Sequence, residues 1–266
     1  TKLVKTQAER RKLDAQLPAY ESNGVQVIFA LDPPAPIYSG SGGTPQQTLF
    51  LNGSHQAWFN EAWGQIASNY TGDSRVLGFD LLNEPAAKKE TKGLLKWPAL
   101  AKQLIATVRA TGASQNIYIE SQFGNPVKIS EVASICKAAK KSGYNGLYAS
   151  FHFYSPFEYS HQGIPGKPMG VAPPDAKAQK KLAKTLKAAE KGQKSCDGVY
   201  VGEFGASMYA QNRQSYFQWL IGYFEVRGWD WSCHAFREGS FWNTEVDPDG
   251  SHTTRNLLRS YQSLNR

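Results

Sequence analysis

Short runs of β-branched and aromatic residues alternate along the chain with longer segments whose apolar residues recur every three or four positions. The short runs predict six strands, at residues 25–31, 76–82, 117–119, 147–153, 198–201 and 228–236. The longer segments predict helices at residues 1–22, 55–70, 97–111, 129–142, 175–191, 213–226 and 253–264. Strands that are each followed by a helix are typical of βα units and a parallel sheet.

This order of elements predicts an α/β fold, a TIM-type (β/α) barrel. We count six βα units rather than eight, and the chain opens on a helix, so we expect an incomplete barrel whose first strands are missing. The 266 residues suit a single barrel domain over residues 1–266. No Gly-x-Gly-x-x-Gly follows any strand, so a dinucleotide-binding fold has no support.

An incomplete barrel has open edges, where strands expose unpaired backbone groups. We expect either a partner subunit in a homo-oligomer or the Gly-rich loop Tyr38–Gly53 to cover these edges.

The net charge of +8 raises the alternative of a nucleic-acid-binding protein. The lysines concentrate in residues 176–194, where Leu182, Leu186 and Ala189 recur at helical spacing. This pattern indicates the solvated face of an amphipathic helix rather than a basic patch, so we expect no nucleic-acid partner. No apolar run reaches the roughly 18 residues of a membrane span, so we expect no membrane partner either.

The chain has three cysteines, Cys136, Cys196 and Cys233, and none of them has the spacing of a metal ligand. An odd number leaves at least one thiol free. One disulfide fits this number, but the sequence leaves its pairing open.

Two glutamates follow predicted strands in the same way. In Gly78–Pro85 an apolar run ends at Asn-Glu-Pro, which contains Glu84. In Val199–Gly205 a similar run leads to Glu203. Three βα units separate them, and strands three apart lie nearly opposite each other across a barrel mouth, where active sites are built. Hydrolysis of a glycosidic bond requires two carboxyl groups that act on the same bond. Glu120 also ends a strand, but no motif surrounds it, and we expect it to be structural.

Three motifs, in order, resemble those of one family. Leu81–Pro85 is similar to the Asn-Glu-Pro signature of glycoside hydrolase family 5, the cellulase family of retaining β-glycosidases. His152–Tyr154 resembles the family's His-x-Tyr motif, and Val201–Gly205 resembles its nucleophile strand. The resemblance covers roughly residues 23–242. Three motifs that follow the family's order on strand ends are more specific than one.

The resemblance implies a role for each of these residues. Glu84 would be the general acid/base and Glu203 the nucleophile, which needs a raised pKa on the acid and an ionised partner. Asn83 would bind the sugar 2-hydroxyl. Tyr154 would donate a hydrogen bond to Glu203, and His152 would orient or exchange protons near Glu84.

The family also places a tryptophan after the last strand as the floor of the subsite before the cleaved bond. Trp242 is our candidate for this residue, with Trp231 and Phe236 as competitors. The family's early Arg, which supports the nucleophile, falls in the missing strands, and Arg237 is our candidate to replace it in part.

These expectations describe a retaining, endo-acting hydrolase of β-1,4-glucan that uses two Glu and needs neither metal nor organic cofactor. Mannan or xyloglucan is the alternative substrate, and a truncated, catalytically silent barrel that binds glycans is the alternative function. Because a polysaccharide cannot enter a cell intact, we expect an extracellular or periplasmic protein.

Overall fold

A computed structural model describes residues 2–31, 49–86 and 92–262 of the chain. The helices are α1 Lys2–Ser22, α2 Gly53–Tyr70, α3 Trp97–Ala110, α4 Ile129–Lys141, α5 Phe157–Ser160, α6 Ala176–Leu186, α7 Glu190–Gln193, α8 Arg213–Glu225 and α9 Thr253–Gln262. The strands are β1 Val27–Ala30, β2 Val76–Asp80, β3 Asn116–Glu120, β4 Leu147–Phe153, β5 Gly198–Phe204, β6 Asp230–Cys233, β7 Arg237–Glu238 and β8 Trp242–Asn243. The six longer strands form a sheet in the order β1-β2-β3-β4-β5-β6, and β7 pairs with β8.

The chain divides into two compact units, of which the first comprises residues 1–120 and 137–147. In this unit β1, β2 and β3 pair in parallel, and Phe79 of β2 lies between Phe29 and Ile117. Gly78 allows this pairing, because a Cβ there would lie 2.4 Å from the backbone oxygen of Asn116. Trp63 of α2 packs its buried ring edge-on against Phe79 and so ties the helix to the sheet.

The second unit comprises residues 121–136 and 148–266. Its strands β4, β5 and β6 pair in parallel, and the register sets His152 beside Glu203. Phe204 of β5 is fully buried, and the rings of Phe217 and Phe224 on α8 pack against it. The core of this unit therefore fixes the strand that carries Glu203.

A disulfide joins Cys136 of α4 to Cys196, which precedes β5, and Cys233 is free. This is the pairing that the sequence alone left open. The two cysteines lie 60 residues apart in sequence, so the bond closes a long loop of the chain.

The predicted alternation of helices and strands is confirmed, with differences at three places. The helix predicted at residues 175–191 is interrupted by a 3-10 turn, Lys187–Ala189, between α6 and α7. The interruption accompanies a close approach of Gly192 to Ala149, where a Cβ on Gly192 would lie 2.6 Å from that of Ala149. The last strand of the sheet ends at Cys233 rather than residue 236, and the hairpin β7/β8 is too short for a periodic signal.

The Gly-rich loop Tyr38–Gly53, expected to cover an open edge, lies mostly outside the described residues. Its last residues are described: Leu49 and Phe50 are fully buried, and α2 begins at Gly53. None of the helices in the described part of the chain is long and apolar enough to cross a membrane.

Candidate active site

Glu84 stands after the end of β2 in the first unit. The N–H of Leu81 donates to the carbonyl of Tyr118, at 3.1 Å, and so extends the pairing of β2 with β3 past the end of β2. Trp63 Nε1 donates to the carbonyl of Leu81 at 2.9 Å. The chain then turns outward at Asn83 and Glu84, which are both partly exposed. The apolar run therefore anchors a carboxylate at the carboxyl end of a strand, as the sequence predicted.

The backbone of Glu84 has a φ of 42°, in the left-handed region that non-glycine residues rarely adopt. Its N–H donates to Oε2 of Glu120 at 2.9 Å. Glu120 is only 1% exposed, and Trp97 Nε1 donates to its carbonyl oxygen at 2.9 Å. Glu120 therefore stabilises the turn that carries Glu84. The sequence did not predict this contact.

Glu203 lies on β5 in the second unit, with its side chain 26% exposed. The hydroxyl of Tyr154 donates to its Oε2 at 2.6 Å, as the sequence predicted. Nδ1 of His152 lies 3.5 Å from the same oxygen, and Nδ1 of His234 lies 3.8 Å from it. One carboxylate oxygen thus faces a phenol and two imidazoles.

Small residues make room for these rings. A Cβ on Gly202 would lie 3.2 Å from Nε2 of His152, and a Cβ on Gly205 would lie 2.3 Å from the carbonyl oxygen of His234. The glycines that flank Glu203 therefore let β4 and the end of β6 approach it closely. The Gly-Glu-Phe-Gly sequence at the end of β5 is needed for this arrangement.

Trp242 lies on β8 of the hairpin, also in the second unit. Its ring centroid is 5.5 Å from that of Tyr154, 5.2 Å from that of His161 and 5.4 Å from that of His234. Burial lowers the pKa of His161, and the nearby charges of Lys167 and His234 act in the same direction. Trp242 is thus the tryptophan that lies beside Tyr154, the residue that donates a hydrogen bond to Glu203.

The two competitors of Trp242 lie elsewhere. Trp231 of β6 packs against Phe204, and its Nε1 donates to Oε1 of Glu225 at 2.7 Å. Phe236 is 59% exposed, and the Arg237 guanidinium lies over its ring at 5.0 Å.

The structure does not support Arg237 as a residue that contacts the proposed nucleophile Glu203. Its guanidinium pairs with Glu245 at the surface, and its side chain is 63% exposed. The second imidazole at Glu203, besides that of His152, belongs instead to His234, whose Nε2 also lies 3.0 Å from Oε2 of Glu238. His234 directly follows a strand of the sheet, which is the one signal by which the sequence could have revealed it.

A sheet whose strands alternate with helices and carry carboxylates at their carboxyl ends is the arrangement of (β/α)-barrel proteins. The sequence profile described as "Cellulase (glycosyl hydrolase family 5)" matches residues 4–239. The chain therefore belongs to glycosyl hydrolase family 5.

Individual relatives agree with this assignment. Over 116 residues the chain is 27% identical to endoglucanase C of Acetivibrio thermocellus, a match that covers 43% of this chain and 31% of that protein. Over 238 residues it is 23% identical to cellodextrinase A of Ruminococcus flavefaciens, which covers 85% of this chain and 67% of that one. The chain thus spans about a third of the length of the first of these relatives.

Solved structures show the same fold. Cel5A of Thermotoga maritima, in complex with cellobiose, superposes with a TM-score of 0.75 at 20% identity, over 95% of this chain and 78% of that one. This likeness confirms the predicted TIM-type fold. The described residues hold six strands of the sheet rather than eight, as expected of an incomplete barrel.

Proposed function

We propose that the chain is a retaining, endo-acting β-1,4-glucan hydrolase in which Glu203 is the nucleophile and Glu84 the general acid/base. The observation that carries the proposal is the set of contacts at Oε2 of Glu203, which receives the Tyr154 hydroxyl and faces two imidazoles. Such donors stabilise the ionised form of a carboxylate. An ionised carboxylate on a strand end is what a nucleophile in this family requires.

The contacts of Glu203 suggest which of its oxygens reacts. Among the described residues they converge on Oε2, so we assign the attack on the anomeric carbon to Oε1. In the first step the bond from Oε1 to the sugar forms, the glycosidic C–O bond breaks, and Glu84 gives its proton to the leaving oxygen. In the second step water attacks the anomeric carbon, Glu84 takes its proton, and Oε1 leaves.

The substrate class rests on the relatives and on the rings at the site. The relatives are named endoglucanase C and cellodextrinase A, and Cel5A was solved with cellobiose. Trp242, partly exposed beside Tyr154, would stack on the apolar face of a pyranose ring. Asn83, next to Glu84, would bind the 2-hydroxyl. Mannan and xyloglucan are the alternative β-linked polymers.

We also propose that the protein works outside the cytoplasm, where its polymeric substrate is found. The disulfide between Cys136 and Cys196 supports this location, because structural disulfides persist in oxidising compartments. The edge position of β1 in the sheet supports a homo-oligomer that covers it. Size-exclusion chromatography with light scattering tests the oligomer, and a monomer at all concentrations contradicts it.

The deciding experiment is reducing-sugar release from soluble β-1,4-glucan, mannan and xyloglucan by the wild type, by Glu203→Gln and by Glu190→Gln. Glu190 pairs with Arg227 away from the proposed site and serves as the matched control. We expect activity on the glucan that is lost in Glu203→Gln and kept in Glu190→Gln, with the β-anomer as the first product seen by NMR. A folded wild type that binds these glycans without cleaving them would instead identify a catalytically silent barrel.

A further inference from the structure

His234 lies between two carboxylates of the second unit. Its Nδ1 is 3.8 Å from Oε2 of Glu203, and its Nε2 is 3.0 Å from Oε2 of Glu238. The N–H of His234 donates to the carbonyl of Phe204 at 2.9 Å, which fixes its backbone one residue from Glu203 along β5. A protonated imidazole has an N–H at each nitrogen and would therefore present one to each carboxylate.

The hairpin β7/β8 sets the orientation of this imidazole. Glu238 of β7 pairs in register with Trp242 of β8, so the hairpin that carries the aromatic ring also carries the carboxylate. The neighbouring Arg237 pairs with Glu245 instead. Successive residues of a strand point to opposite faces, which explains why one of two adjacent charged residues reaches His234 and the other does not.

We propose that His234, oriented by Glu238, is a positioning residue that supplies positive charge to the nucleophile Glu203. The inference rests on the proposed function of Glu203. It gives the carboxylate a cationic support from the end of β6. The Glu238 side chain is 65% exposed, so solvent protons can reach the hydrogen-bonding pair of His234 and Glu238, which we call the couple.

Other titratable groups face the couple and belong to the same charge balance. Tyr154 and His161 both lie in the segment that follows β4. The ring centroid of Tyr154 is 6.1 Å from that of His234. His152 of β4 approaches the same oxygen of Glu203 as His234 does. The two imidazoles differ in access, because the His152 side chain is 4% exposed and that of His234 is 23% exposed.

The test compares His234→Gln and Glu238→Gln with Arg237→Gln, a control on the same hairpin that breaks the pair with Glu245. For hydrolysis of an aryl cellobioside we expect kcat to fall about tenfold in His234→Gln with little change in KM, because a charge that acts on the nucleophile acts on the chemical step. The acidic limb of kcat/KM should move to higher pH, since the ionised carboxylate loses a cationic neighbour. Arg237→Gln should match the wild type.

The couple also makes a prediction about the double variant. If Glu238 acts through His234, His234→Gln/Glu238→Gln should be no slower than His234→Gln alone. A purely structural role for His234 would lower the melting temperature without moving the acidic limb, and that result would overturn the proposal. Should His234→Gln fail to fold by circular dichroism, Glu238→Gln decides, because its side chain is exposed.

A measurement without turnover separates this inference from the proposed function. Carbon-13 NMR of the Glu203 carboxyl, assigned by its loss in Glu203→Gln, follows its protonation with pH. A midpoint that moves to higher pH in His234→Gln supports the charge supplied by His234, even if the wild type cleaves no glycan and the proposed function fails. Equal midpoints in the two proteins overturn the inference, even if the wild type is an active glucanase.

Discussion

The N–H of Glu84 donates a hydrogen bond to Oε2 of Glu120 at 2.9 Å, and this contact braces a backbone that stands at a φ of 42°. A left-handed conformation costs a non-glycine residue about 1 kcal/mol or more, so it persists only where its surroundings enforce it. Glu120, 1% exposed, supplies that enforcement from the end of β3. The direction of the proposed proton donor therefore depends on a second, buried carboxylate.

Replacement of Glu120 by Ala should release this turn. We expect Glu120→Ala to lose about 1–3 kcal/mol of unfolding free energy, because it leaves the part-buried N–H of Glu84 without its Glu120 acceptor. We also expect at least a tenfold lower kcat, measured on the preferred glucan together with urea unfolding. Glu120→Gln keeps an acceptor oxygen and should retain more of both. Glu131→Ala, a substitution on helix α4, is the control and should keep the activity of the wild type. If Glu120→Ala is as active as the wild type, Glu120 does not brace the turn.

Removal of the hydroxyl of Tyr154 should slow the chemical step. The bond from Tyr154 to Glu203 is 2.6 Å long, and a hydrogen bond to a charged group is worth about 1.5–3 kcal/mol. Tyr154→Phe should therefore lower kcat by about 10- to 100-fold and leave the fold intact, as measured by initial rates and by circular dichroism.

Tyr159→Phe provides the comparison for this variant. Its hydroxyl donates to the carbonyl of Gln211 at 2.8 Å, away from Glu203, so its loss should reduce the melting temperature and not kcat. If both variants lose kcat equally, the effect comes from packing of this segment and not from the hydrogen bond to the nucleophile.

The strand ends and the motifs on them were predictable because each depends on local sequence. An apolar run followed by Asn-Glu-Pro marks both the strand and the position of Glu84, and His-x-Tyr places Tyr154 just beyond β4. The supports of the two glutamates were not predictable in the same way. Glu120 contacts a turn that lies 36 residues away in sequence, and Glu238 lies in a strand of only two residues.

The disulfide makes the same point about contacts that are distant in sequence. Three cysteines allow three pairings, and only the packing of α4 near the start of β5 selects Cys136 with Cys196. A pairing of this kind depends on tertiary structure and has no local signal.

Reduction of this disulfide should destabilise the protein. Opening a loop of 60 residues returns chain entropy worth up to about 4 kcal/mol to the unfolded state. We therefore expect the melting temperature to fall by several degrees on addition of a phosphine reductant, and to fall equally in Cys136→Ala/Cys196→Ala without reductant. The double variant should not respond further to the reductant. An unchanged melting temperature in reduced wild type would contradict the expected contribution.

Arg213, Asp247 and Thr254 form a buried polar network in the second unit. Nη2 of Arg213 lies 2.6 Å from Oδ1 of Asp247, and the N–H of Thr254 donates to Oδ2 at 3.0 Å. Burial raises the pKa of Asp247, but the hydrogen bonds from Thr254 and Arg213 outweigh it and leave the pKa below its ordinary value of 3.8. The carboxylate is thus stabilised in the folded state relative to the unfolded one.

The sign of this shift fixes the pH dependence of stability. A folded-state pKa that is lowered contributes stability at pH values above about 4, which is lost as the pH falls through the folded pKa. Asp247→Asn should lose about 3–5 kcal/mol at pH 7, because it leaves Arg213 charged and buried without its partner. Urea unfolding between pH 7 and pH 2.5 should show a smaller acid loss in this variant than in the wild type. Asp175→Asn, which preserves an exposed helix cap, should follow the wild type, and parallel acid curves for Asp247→Asn and wild type would show that other groups control acid unfolding.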